Sequence, residues 1–180
     1  MKKRIIVAAL LSCAISSTMA QSSQKKESGP YVEAGLMQAY YSEPSATFNN
    51  TMAALKAGYN FNKNLALEGM IAGNLNSANF YYGQTNVSAN VQNAYGAYGK
   101  GTIEISDVFS LYVKVGATNG TLNASSAYGS AYQSGTSPSY GAGIQAAVNS
   151  SAYVSLDYMS YYNRNGVSIV GPSLNAGYKF

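Results

Sequence analysis

After its first thirty residues this chain alternates with period two almost to its end, and the alternation sorts charge onto one face. A period of two is the signature of a strand with unlike environments on its two sides. In "MAALKAGYNF", Leu55, Ala57, Tyr59 and Phe61 share a face, and Ala54, Lys56, Gly58 and Asn60 share the other. Leu65, Leu67 and Ile71 oppose Glu68, Met70 and Asn74; Phe109, Leu111, Val113 and Val115 oppose Ser110, Tyr112, Lys114 and Gly116. Val154, Leu156, Tyr158 and Tyr162 oppose Ser155, Asp157 and Tyr161. Eight such segments are predicted, at about 30–41, 52–61, 64–75, 93–105, 108–118, 138–149, 152–162 and 167–180. Most run ten to fourteen residues, beyond the five or six of ordinary strands and near the ~9 to 11 that cross a bilayer at a tilt.

Applied to every strand, the rule places Glu33, Lys56, Glu68, Lys100, Glu104, Lys114, Asp157 and Lys179 on one polar face, four acids against four bases. A soluble barrel would turn this face to water; a membrane barrel turns it inward and presents Leu, Ile, Val, Phe and Tyr to lipid. Alternation alone leaves both arrangements open. The long strands favour the membrane arrangement, and so does the charged fraction, 10% where ~25% is ordinary for soluble domains. Eight strands enclose an interior just wide enough for side chains to fill, so the eight charges are expected to form a salt-bridged plug.

The connections alternate too. Strands two and three are joined by "NK" within "FNKN", four and five by "SD", six and seven by "SS", three tight turns. The others, "SEPSATFNNT", "SANFYYGQTNVSAN", "NGTLNASSAYGSAYQSGTS" and "NRNG", are mostly longer and rich in Gly, Asn and Ser. Short turns at one end and long connections at the other mark an up-and-down barrel in an outer membrane. The fold class is therefore all-β, an eight-stranded antiparallel up-and-down transmembrane β-barrel.

"MKKRIIVAALLSCAISSTMAQ" has a basic start, a short apolar run and small residues at Thr18 and Ala20. It reads as a secretory signal peptide over 1–20, cleaved near Ala20, followed by a short polar linker over 21–29 and the barrel over 30–180. The apolar run is shorter than the ~20 residues of a spanning helix. The leader holds the one cysteine, Cys13, and three of the eleven Lys and Arg; eight remain against seven Asp and Glu. With +1 left, the electrostatic argument for nucleic acid is gone. About 160 residues remain, one domain's worth, and a chain ending with its barrel is expected to carry no periplasmic cell-wall anchor.

Tyr40, Tyr41, Tyr81, Tyr82, Tyr158, Tyr161 and Tyr162 lie near the long-connection end, and Tyr59, Phe61, Phe109, Tyr178 and Phe180 near the short-turn end. Two aromatic belts at the membrane interfaces are expected. The last strand places Pro172, Leu174, Ala176, Tyr178 and Phe180 on one face and Ser173, Asn175, Gly177 and Lys179 on the other, so the terminal ring needs something apolar to face.

Three stretches, "AGYNFNKNLALEG", "YGAGIQAAVNSSAYVSLDYMSYY" and the closing "LNAGYKF", resemble the small outer-membrane β-barrel family of Gram-negative bacteria, the OmpX-like, opacity-type and OmpA-barrel-like proteins. The resemblance covers the chain from about Tyr31 to its end. It implies a cell-surface, porin-like barrel in the bacterial outer membrane, surrounded by membrane lipid and lipopolysaccharide. It implies an assembly signal at Leu174, Ala176, Tyr178 and Phe180, read by the barrel-assembly machinery after delivery by periplasmic chaperones. Asn175 departs from the glycine often found five residues before the terminal aromatic.

Other motifs carry less. "GAGIQA" imitates a dinucleotide fingerprint, yet no helix or acidic partner follows, and small residues in a curved strand account for it. "NVS", "NGT", "NAS" and "NSS" match the glycosylation pattern by composition. The chain has no His for a catalytic base or metal cluster, and no enzyme activity and no cofactor are expected. A Ser-Lys or paired-carboxylate site using Glu68, Glu104 and Asp157 stays formally open.

The long connections hold Tyr, Ser, Asn and Gly, a composition of binding loops and equally of plain surface segments. Phe80, Tyr81, Tyr82, Tyr128 and Tyr132 are the candidate contacts with a ligand on a host or other surface. The leading expectation is a structural or surface-interaction protein, adhesive or protective. The alternatives are a narrow solute or ion channel and, third, a soluble periplasmic ligand-binding barrel.

Overall fold

The computed structural model describes residues 28–44, 46–76, 78–82, 85–126, 129–164 and 166–180. The expected signal peptide and residues 21–27 lie outside them. Alternation becomes nine strands: β1 Gly29–Glu43, β2 Ala46–Asn60, β3 Leu65–Asn74, β4 Ala78–Tyr82, β5 Thr85–Glu104, β6 Phe109–Ser126, β7 Gly129–Ala147, β8 Ala152–Arg164 and β9 Val167–Lys179. Every neighbouring pair is antiparallel, in the order β3-β2-β1-β9-β8-β7-β6-β5-β4, and pairing of β3 with β5 closes the ring.

Nine strands make eight staves, because β3 and β4 occupy successive stretches of one. Gly73 pairs with Asn93 of β5 and, past the break, Ala78 pairs with Ala89. Asparagines satisfy the backbone groups the break would orphan. Buried Asn50 donates to Asn76 O (2.8 Å) and accepts from Val91 N (3.1 Å), and Thr51 N donates to Asn76 Oδ1 (2.6 Å). The register of β5 against β6 shifts between Val91 and Asn93 at the same level.

The three short turns share one construction, over residues 61–64, 105–108 and 148–151. Their second residues, Asn62, Ser106 and Asn149, accept backbone N–H bonds from the residues that open the next strand, at 2.9 Å from Leu65, 3.0 Å from Phe109 and 2.7 Å from Ala152. A side chain that captures the backbone two or three residues on fixes a turn without help from glycine. These turns are thus two residues longer than the sequence suggested.

The long connections differ more. Most of their length is strand: β6 pairs with β7 without interruption out to Ser126 opposite Gly129, β4 with β5 to Tyr82 opposite Thr85, and β1 with β2 to Glu43 opposite Ala46. At 20, 18 and 19 residues, β5, β6 and β7 are about twice the length that crosses a bilayer, so they rise beyond it as a ribbon.

The outer face is apolar, with Leu55, Leu67, Ile71, Val113, Val115, Leu156 and Leu174 each exposed. Such a surface belongs in hydrocarbon, and closure leaves no backbone edge unpaired there. Tyr59, Phe61, Phe109, Tyr178 and Phe180 all point outward and form the short-turn belt. The other belt is corrected in part: Tyr40 and Tyr158 face outward, but Tyr41 and Tyr161 are buried inside the barrel, and the register shift between Ser160 and Tyr162 turns Tyr162 against the same interior cluster.

Candidate functional site

The interior has two layers. In the half nearer the short turns, six of the eight predicted charges are buried: Glu33, Lys56, Glu68, Lys100, Lys114 and Asp157. They form one chain of ion pairs. Lys100 reaches Glu33 (3.4 Å), Glu33 reaches Lys56 (3.7 Å), Lys56 reaches Asp157 (3.2 Å), Asp157 reaches Lys114 (3.6 Å), and Lys114 ends on Glu68 (2.6 Å). Three positive and three negative groups leave no net charge. Glu33 and Lys56 are direct cross-strand partners, whereas the Lys100 to Glu33 and Lys56 to Asp157 pairs cross the lumen between strands that are not neighbours.

Lys100 and Lys114 stand directly opposite each other on β5 and β6, an arrangement that like charges disfavour. Their ammonium groups part to Glu33 and Glu68, and both lie over the Tyr112 ring, at 4.4 and 5.1 Å from its centroid. The ring's negative face offsets part of their repulsion.

Tyrosine hydroxyls complete the carboxylates. Tyr31 donates to Glu68 (2.8 Å), Tyr153 to Glu33 (2.8 Å) and Tyr112 to Asp157 (3.0 Å); Ser173 donates to Asp157 at 2.5 Å. A buried charge is tolerable when paired and hydrogen-bonded, and here each acid has both. Tyr31, Tyr112, Tyr153 and Ser173 were not among the expected site residues, although they share the parity of Glu33, Lys114, Asp157 and Lys179. That parity was the available signal.

Four inner rings also lie over glycines: Tyr31 over Gly58, Tyr112 over Gly143 and Tyr153 over Gly177, each in register across two strands, and Tyr98 over Gly96, two residues back in its own strand. A Cβ at any of the four would meet the facing tyrosine. The missing side chains make the space in which the rings lie flat.

The remaining two predicted charges sit elsewhere. Glu104, the last residue of β5, is exposed beside the β5–β6 turn, where water reaches it. Lys179 is half-buried, its Nζ 5.3 Å from the Tyr153 ring centroid. Both line the short-turn mouth.

Above the charges the interior turns apolar, which the even rule of a polar inner face did not foresee. Met37, Met52, Met70, Met159, Ala54, Ala72, Ala94, Val91, Ile169, Tyr98 and Tyr161 pack there as one buried cluster. Thr118 is polar among them, bonded to Tyr98 (2.7 Å) and Ser139 (2.8 Å).

At the long-connection end, Phe80, Tyr81 and Tyr82 fall in β4, opposite Val87, Asn86 and Thr85. Tyr132 of β7 is 64% exposed; Tyr128 lies outside the described residues. The β6–β7 ribbon carries a ladder of polar pairs, Asn119 to Thr136 (2.9 Å), Thr121 to Ser134 (3.0 Å) and Ser125 to Ser130 (2.9 Å). Leu174, Ala176, Tyr178 and Phe180 all face outward.

A closed barrel, apolar outside and ion-paired within, agrees with comparison to known families: the model of the outer membrane protein beta-barrel domain matches residues 5–180. The chain belongs to that family. It is thus a bacterial outer-membrane protein in contact with lipid, and the soluble periplasmic alternative falls. The chain is similar to the attachment invasion locus protein of Yersinia enterocolitica, 26% identical with both chains covered in full. The crystal structure of Ail, the attachment invasion locus protein of Yersinia pestis, superposes with a TM-score of 0.66 at 25% identity, over 86% of this chain and 99% of that one. A second crystal structure of that protein holds the heparin analogue sucrose octasulfate. Neisserial surface protein A shares the fold, with a TM-score of 0.60 at 18% identity over 84% and 97% of the two chains.

Proposed function

We propose that this outer-membrane barrel is an adhesive surface protein that works through the part of its sheet standing above the membrane. The observation that carries the reading is the continuation of β5, β6 and β7 past any bilayer as a paired, hydrogen-bonded ribbon. A paired ribbon presents its side chains in a fixed array, so less ordering is needed on contact than in a loose loop.

The chemistry of that array is neutral. Between Glu33 and Lys56, Glu68 and Lys100, Lys114 and Asp157, and Asp157 and Lys179, the only charged residues are Glu43 and Arg164. Binding of a sulfated sugar such as the sucrose octasulfate held by Ail would call for clustered Lys and Arg, which these segments lack. Tyr132 and the aromatics of β4 belong to segments rich in Asn, Ser and Thr, a composition that suits contacts made by rings and hydrogen bonds.

The test is adhesion of bacteria producing the protein to cultured epithelial cells at 0.15 and 0.5 M NaCl. Adhesion is expected to persist at the higher salt and to fall on replacing Phe80, Tyr81, Tyr82 and Tyr132 by Ser. Unchanged adhesion by a variant present at parental level in the outer membrane would overturn the reading.

The closing strand supports a reading for biogenesis: Leu174, Ala176, Tyr178 and Phe180 form the strip read by the barrel-assembly machinery after chaperone delivery of a chain whose leader over 1–20 has been removed. Lipopolysaccharide would then surround the outer half. No catalytic role is proposed, because the buried acids that could make one are each engaged by a lysine and a hydroxyl. The narrow-channel reading finds little support in an interior filled by a salt-bridged layer below and an apolar layer above.

A further inference from the structure

One edge of the ribbon is unfinished. β7 pairs with β6 from Ala146 out to Gly129, but with β8 only from Ala147 to Tyr140. Just above Tyr140 side chains fasten the two strands, Ser139 Oγ donating to Tyr161 O (2.8 Å) and Asn163 N to Ser137 Oγ (3.1 Å). From Gly129 to Thr136, among the described residues, β7 has a strand on one side alone.

The register says which backbone groups are left over. Ala147 N donates to Val108 O, beside β6, and Val148 N to Ala152 O of β8. Odd-numbered residues of β7 therefore direct their backbone groups toward β6, and even-numbered ones toward β8. No register shift interrupts the β6–β7 pairing, so the rule holds out to the tip. The N–H and C=O groups of Ser130, Tyr132, Ser134 and Thr136 point away from β6, along the open edge. Pro138, even-numbered and without an N–H, stands at its foot.

Open edges of this length are commonly blunted by charge, by proline or by a bulge. From Gly129 to Ser137 this one has none of the three, and Ser130, Tyr132, Ser134 and Thr136 are exposed. A row of unpaired N–H and C=O groups is matched by another backbone. A second copy in the same membrane fits poorly: it brings up the same edge in the same direction and at the same level, whereas a parallel ladder needs slanted bonds between staggered residues.

We propose that the edge of β7 from Ser130 to Thr136 accepts an extended, uncharged segment of a partner polypeptide as an added strand. The proposal rests on the adhesive reading above and names the class of partner, a protein held mainly through its backbone. Hydroxyl-bearing and β-branched side chains in that segment would continue the polar ladder that Ser134 forms with Thr121, and Ser130 with Ser125, on the β6 side.

Ser134→Pro removes an N–H that faces the open edge and takes no part in the β6 ladder, a place where a strand tolerates proline. Ser134→Ala keeps the N–H and loses the hydroxyl. Adhesion to cultured epithelial cells is expected to fall about tenfold in bacteria producing Ser134→Pro, as loss of one backbone hydrogen bond implies, and to stay near the parental level with Ser134→Ala. Equal adhesion by the two variants, at parental amounts of heat-shifting barrel, would overturn the proposal; the adhesive reading would survive if replacing Phe80, Tyr81, Tyr82 and Tyr132 still abolished adhesion. Amide hydrogen exchange on the parent in nanodiscs decides the matter without cells or variants. The probe is an acetylated, amidated peptide alternating Thr with Val. Excess peptide is expected to slow exchange at Tyr132, Ser134 and Thr136 while Gln133 and Gly135, already bonded to β6, change little. Slowing that ignores this alternation, or none, refutes an added strand.

Discussion

The Tyr153 hydroxyl on β8 donates a 2.8 Å hydrogen bond to Glu33 on β1, passing over the strand that lies between them. It fixes the acid that holds both Lys100 and Lys56. Tyr153→Phe removes only the donor. A hydrogen bond to a charged group is worth about 1.5–3 kcal/mol, so this variant should lose stability of that order in urea unfolding from lipid vesicles. A midpoint equal to the parent's would show that Glu33 is held by its lysines alone.

Lys114 ends the chain of ion pairs on Glu68 and also faces Asp157. Lys114→Ala leaves those acids short of a cation in a desolvated layer, at a cost of about 3–5 kcal/mol. Adding Glu68→Gln should recover part of it, since the second change removes the stranded charge. Glu43→Gln, at the outer end of β1, should move the midpoint little. Strictly additive losses in the double variant would contradict the coupling.

Gly177 lies beneath the Tyr153 ring, while Gly73 has open space where its side chain would be. Gly177→Ala should therefore lower the temperature of the boiled-to-unboiled gel shift, by an overpacking penalty of about 1–3 kcal/mol. Gly73→Ala is expected to leave that temperature nearly unchanged. If the two behave alike, the rings do not depend on the glycines for room.

With ion pairs filling one half of the lumen and methionine and alanine the other, purified protein in planar bilayers should show no steady open-channel conductance. A reproducible unitary current abolished by Lys114→Ala or Asp157→Asn would restore the channel reading.

What the sequence made legible follows from the physics of its two environments. Where a strand crosses hydrocarbon, one face meets lipid, and Leu55, Leu67, Val113 and Leu156 announce it. Above the membrane no face of β6 or β7 has to meet lipid, so "NASS" and "GSAYQSGTS" show no alternation and read as loop although their backbone is strand. Met37, Met52 and Met159 have inner-face parity, but parity says nothing about depth, and the division into a charged and an apolar layer was invisible. Glu104 shows the same limit: it has the right parity, one step too near the turn. The three tyrosine-over-glycine pairs that cross between strands required the register, which two isolated strands do not reveal.

The seam of the ring joins β1 to β9, with Tyr31 opposite Lys179 and Phe180 N donating to Pro30 O. The beginning and end of the barrel sequence are thus each other's neighbours. Until the last strand arrives the sheet has two raw margins, each a template for a stranger's strand, and no earlier hairpin can shield both. Time, for this chain, is ordered by one strand: the pairings among β1 to β8 need only residues that precede β9, but the ring stays open until β9 is in place.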